Sequence, residues 1–124
     1  MLQITQVGRV MVPVSDQDAA IAFYTEILGF SLVADVAFGD GGRWVEVAPP
    51  GGGAPLALVA PQGEYQPGRM TGIALVSLDP RADHAELKKR GVDVDELMGG
   101  DCTVPLMFFF RDNDNNHFMA VEGQ

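Results

Sequence analysis

Apolar and polar positions change their spacing along this chain, and the changes mark out its elements. In residues 9–14, Val10, Val12 and Val14 alternate with Arg9, Met11 and Pro13, a period of two that predicts a half-buried strand. The period then lengthens. Ala20, Phe23, Tyr24, Ile27 and Leu28 fall on one stripe of a helix with a face to bury. Ser15 or Asp16 stands where the N-cap belongs, with Asp18 answering Ser15 as in a capping box. Gly29 can close the helix in a positive-φ conformation, and Phe30 can fold back on its last turn. Residues 31–37, 43–48 and 55–60 then read as three strands, separated by the turn sequences FGDGG and PPGGGA. Residues 61–70, PQGEYQPGRM, carry no periodicity and predict a linker inside the domain.

The order then begins again. Residues 71–78 predict a strand, Asp79-Pro80 an N-cap followed by proline at the first helical position, and ADHAELKKR a short helix stopped by Gly91. VDVDEL predicts a weak strand, residues 104–110 a strong one, RDNDNN a turn, and residues 117–121 the last strand. Asp16 matches Asp79 and Gly29 matches Gly91, at offsets of 63 and 62 residues. Strand, helix and three strands therefore occur twice, as repeats of about 1–62 and 68–124 within a single α+β domain 1–124. Each βαβββ repeat is too small to bury its own sheet face, so the two must share a core or a concave surface.

Alternation sorts the strand residues by face. Val10, Val12, Val14, Val45, Val47, Leu56, Leu58, Ile73, Leu75, Phe118 and Ala120 make an apolar face for the helices to cover. The opposite face receives Arg9, Met11 and Pro13, Trp44 and Glu46, Ala57 and Val59, Gly72 and Ala74, then His117, Met119 and Val121. Carrying the offset of 62 forward from Glu46 adds Phe108 and Phe110. An aromatic, apolar hollow with few polar groups has the character of a small-molecule site, and Trp44, Phe108 and Phe110 could stack on a planar ring or hold a cation. The candidate ligand-binding residues are thus Arg9, Met11, Trp44, Glu46, Phe108, Phe110, His117 and Met119.

Composition narrows the function classes. A net charge of −9 argues against nucleic acid, whose phosphates need Lys and Arg, and would favour a cationic ligand. No apolar run is long enough for a membrane span, and no signal peptide is visible. The lone Cys102 has no internal disulfide partner and no His or Lys beside it. It is expected to be a spectator thiol in a reducing cytoplasm. His84 is expected to be a solvated histidine in mid-helix, and Asp112 and Asp114 to be solvated turn acids. G-x-S-x-G, P-loop and dinucleotide patterns do not occur.

The run VPVSDQDAAIAFYTEILGF, the ending RDNDNNHFMAVEG and the doubled βαβββ order together resemble the vicinal oxygen chelate superfamily, which includes glyoxalase I, extradiol dioxygenases and bleomycin resistance proteins. The resemblance implies mixed sheets curling round a central cleft, commonly in a homodimer. Metal-using members carry His, Gln or Glu at four strand positions, which fall here on Arg9, Ala57, Gly72 and Met119. The resemblance therefore implies no metal and no cofactor. It leaves two expectations: a metal-independent protein sequestering an aromatic or cationic compound, or a lyase, isomerase or dioxygenase of the same superfamily, the metal-free isomerase or lyase version using Glu46 or His117 as base. The expected partners are a small-molecule ligand and a second copy of the chain, with neither nucleic acid nor membrane.

Overall fold

In the computed structural model, which describes residues 1–123, the chain divides into two compact units, Met1–Gln66 and Pro67–Gln124. The first contains β1 (Val10–Pro13), α1 (Gln17–Ala22), β2 (Ser31–Phe38), β3 (Gly42–Ala48) and β4 (Leu56–Val59). Its sheet has the order β1-β4-β3-β2. β1 runs parallel to β4, and the other pairs are antiparallel.

Local chemistry accounts for the helix. Asp16, not Ser15, is the cap: its side chain accepts from the Ala19 N–H at 3.1 Å. After Ala22 the helix widens into a π turn, Phe23–Ile27, closed by the Leu28 N–H on the Phe23 carbonyl at 3.2 Å. In the same turn the Thr25 hydroxyl donates to the Ile21 carbonyl at 2.7 Å, occupying an acceptor that an α-helix gives to a backbone N–H. Gly29 follows at φ 78°, and Phe30 does fold back, its ring 5.9 Å from that of Tyr24. The Gln17 amide donates to the carbonyls of Arg43 and Leu58, both at 2.9 Å, fixing the start of α1 to β3 and β4. Ala20, Phe23 and Tyr24 are buried along with Val12, Val45, Val47, Leu56 and Leu58, so the expected apolar face of this sheet is its core face. On this same face, at its exposed rim, Arg43 donates to both Asp35 and Asp18. Its guanidinium holds the Asp35 carboxyl below the usual range.

The second unit contains β5 (Met70–Ser77), α2 (Pro80–Lys89), β6 (Met107–Arg111) and β7 (His117–Glu122), with sheet order β5-β7-β6. Asp79 caps α2 through the Ala82 N–H at 3.1 Å, and Gly91 takes φ 83°. The expected strand at VDVDEL does not form. That segment touches β6 through a single bridge, Val94 to Phe110. Its acids are engaged by Arg111, which forks onto Asp95 at 2.6 and 3.2 Å and lies 3.7 Å from Asp93. This guanidinium also holds the Asp95 carboxyl below its ordinary value.

Register overturns the placement of two aromatics. Phe108 pairs with Ala120 and Phe110 with Phe118, and directly paired residues share a face. Phe108 and Phe110 therefore lie on the core face of this sheet, not the opposite one, and are 0% and 2% exposed. Phe110 stacks on Phe118 at 5.6 Å between centroids. The offset from Glu46 misled because residues 92–106 form loops and isolated bridges where the first unit has a continuous strand. His84 is also not a solvated surface residue. Its ring sits edge-on to Phe108 at 5.1 Å, and Nε2 lies 2.8 Å from the Asp95 carbonyl.

Candidate functional site

The face of the first sheet opposite α1 is built by cross-strand pairing. Met11, Ala57 and Glu46 stand in one row, and Pro13 pairs with Val59. Trp44, two residues before Glu46 on β3, projects from the same side. Over this face lies a hollow of about 210 Å³ lined by Met11, Trp44, Val59, Ala60, Gln62 and Tyr65.

Two of those lining residues come from the stretch expected to be a linker. Residues 61–66 belong to the first unit. Gln62 and Tyr65 pair through their backbones, at 3.2 and 2.8 Å, and the Tyr65 hydroxyl donates to the Met11 carbonyl. The stretch is thereby tied back to β1 and forms a wall. The one signal for it in the sequence is an aromatic residue alone in a Pro/Gly-rich run, with nothing local to pack on.

Glu46 is the fixed polar point. It is 8% exposed, and its Oε2 accepts from Arg9 Nε at 3.0 Å and from the Trp44 indole N–H at 2.5 Å. A carboxylate this buried needs such donors, because an unanswered buried charge costs several kcal/mol. The Arg9 guanidinium carbon also lies 5.9 Å from the centre of the Trp44 ring, within reach of a cation–π contact. One carboxylate oxygen thus orients both the indole and the guanidinium.

Of the sequence-predicted residues, Arg9, Met11, Trp44 and Glu46 come together in this unit. His117 and Met119 lie on one face of β7 in the other unit, alternating with the buried Phe118 and Ala120. Phe108 and Phe110 are core residues, as described above. The four positions at which the resemblance implies metal ligands carry side chains that do not suit a divalent ion. Arg9 is a permanent cation, Ala57 and Gly72 have no side-chain donor, and the Met119 thioether is a poor ligand for hard ions. Among the described residues no three His, Cys, Asp or Glu side chains are grouped to hold a metal. Nor is any helix long and apolar enough to cross a membrane.

Comparison with known proteins agrees with this architecture. The chain is 36% identical to TnmS3, an antibiotic binding protein from Streptomyces sp. CB03234, and matches its crystal structure with a TM-score of 0.86 over 100% of both chains. A Sphaerobacter thermophilus protein of the glyoxalase/bleomycin resistance protein/dioxygenase superfamily is 33% identical, with a TM-score of 0.90 over 98% of this chain and 100% of that one. The uncharacterized protein YetH of Bacillus subtilis is 32% identical over 96% of this chain and 99% of its own length. The model of the Glyoxalase/Bleomycin resistance protein/Dioxygenase superfamily matches residues 6–120, and the chain belongs to that superfamily.

Proposed function

We propose that the protein binds a small planar aromatic compound in the hollow of its first unit, without a metal ion. The observation that carries this reading is the Trp44 indole, held at its N–H by Glu46 and set beside Met11 and Tyr65 in a mostly apolar lining. A preset ring of this kind stacks on a ligand without first being ordered. A dry cavity of about 150 Å³ accommodates benzene, so a space of about 210 Å³ suits one or two fused rings. TnmS3, an antibiotic binding protein, supports binding rather than conversion as the role of such a chain.

The geometry moves the ligand away from a cation. The charge of Glu46 is already answered by Arg9, so a cationic ligand would have to displace a guanidinium already in place. The catalytic alternative has less support. Glu46 Oε2 is occupied by two donors.

Trp44→Ala tests the reading. Trp44 is half-buried, so the variant should stay folded at a cost of about 1 kcal/mol. It should bind naphthalene-sized aromatics about five- to thirtyfold more weakly, the equivalent of about 1–2 kcal/mol of stacking and burial. Calorimetric titration in the presence of EDTA checks both the affinity and its indifference to metal. Wild-type binding abolished by EDTA, or binding untouched by the substitution, would overturn the proposal.

A homodimer is part of the same reading. β2 is an edge strand that leaves Val33, Val36 and Phe38 more than half exposed, and Leu2, Ile4 and Val7 are more exposed still. Exposed apolar edges of this kind invite a second copy in a two-fold arrangement. Sedimentation at micromolar concentration should give twice the chain mass, and a monomer without self-association refutes this part.

A further inference from the structure

We infer that the aromatic compound carries a carboxylate or phenolate oxygen, and that Arg9 receives it. The inference rests on the proposed aromatic-binding role and adds the charge of the ligand. A guanidinium offers two forked edges, one made by Nε with an Nη group and one made by the two Nη groups. Arg9 uses Nε alone, toward Glu46. Its Nη1/Nη2 edge is left without a partner among the described residues, and its side chain is 53% exposed.

Two arginines of the chain, Arg43 and Arg111, are engaged differently. Arg43 commits Nε and both Nη groups to Asp35 and Asp18, and Arg111 places both Nη groups on Asp95. Those are structural clamps. Arg9 is instead anchored at one end, by a buried carboxylate and the ring of an indole, with the fork that fits a carboxylate still complete. Anchoring removes much of the rotamer freedom that a surface arginine would lose on binding. It also holds the cation next to the ring on which the ligand would stack.

The net charge of −9 opposes an anion only at long range. At physiological salt, exposed charges are screened beyond about 8 Å, so contact with Arg9 outweighs the general field once the ligand is seated.

Three probes of one shape separate the possibilities: 2-naphthoate, 2-naphthalenemethanol and 2-naphthylmethylammonium, each titrated calorimetrically. The expected result is that naphthoate binds about tenfold more tightly than the alcohol, as one charge-assisted fork warrants, and that the ammonium binds most weakly. In Arg9→Gln the ratio of naphthoate to alcohol affinity should fall to about one, the charge and the fork having been removed together. Because that change strands Glu46, the double variant Arg9→Gln/Glu46→Gln is measured beside it and should show the same loss of preference. A wild-type ratio near one overturns the inference, as does a preference that survives in both variants. If the alcohol still binds through Trp44 in that case, the aromatic reading stands and only the role of Arg9 falls. Failure of all three probes to bind overturns both.

Discussion

Phe110→Ala should lower the free energy of unfolding by about 3–5 kcal/mol, the cost of deleting a buried aromatic and leaving a cavity. Phe110 is 2% exposed and lies between Phe108, at 6.2 Å, and Phe118, at 5.6 Å. Little in that stack can collapse into the space. The comparison that gives the number meaning is Trp44→Ala, which removes a larger side chain but should cost only about 1 kcal/mol because it is half-buried over a hollow. Urea denaturation of the two variants distinguishes core from site. Equal midpoint shifts would mean that one of the two aromatics has been assigned to the wrong environment. A fall in ligand affinity for Phe110→Ala without loss of stability would return that residue to the binding surface, where the repeat offset in the sequence first placed it.

Asp112→Ala should be the most damaging single change in the final turn, costing about 2–4 kcal/mol through several buried donors left unpaired at once. Its Oδ1 accepts from the backbone N–H groups of Asp114 at 2.8 Å and Asn116 at 2.9 Å, and its Oδ2 from the Asn116 amide at 3.0 Å. Asp112 is 6% exposed and Asn116 1%, so water cannot replace the lost acceptor. The turn has a second task. Asn116 Oδ1 accepts from the Gly68 N–H at 3.0 Å, tying the entry to β5 to the entry to β7. The neighbouring Asn113 is exposed, and Asn113→Ala should be neutral within about 0.5 kcal/mol. Thermal melts of both variants test the assignment. It fails if they melt together.

Asp112 shows how sequence reading reached the right geometry with the wrong environment. Side-chain-to-backbone bonding in RDNDNN follows from the turn chemistry of Asp and Asn, and those bonds are present. Burial of the acid depends on what packs over the turn, which no local rule supplies. His84 is the same kind of case. Its helical neighbours are charged, yet Phe108 and the Asp95 carbonyl, both distant in sequence, give it a fixed packed position.

What the sequence determined by itself was whatever local periodicity and capping control. It set the strand-and-helix opening of each half, a cap at Ser15 or Asp16 and another at Asp79, the Gly29 and Gly91 stops, and the two faces of the first sheet. From those faces came the grouping of Arg9, Met11, Trp44 and Glu46, because a period of two fixes the side once the strand is known. Only the tertiary structure decided the rest. Phe108 and Phe110 went to the core because one slip of register inverts a strand, and the loops of residues 92–106 broke the offset that had aligned the repeats. Tyr65 and Gln62 joined the hollow because an aperiodic segment has no face until something holds it, here the Met11 carbonyl. The pairing of Arg9 with Glu46 was decided in three dimensions too. Residues 37 positions apart meet only when β1 and β3 flank β4 in one sheet, and that meeting sets the polarity of the site.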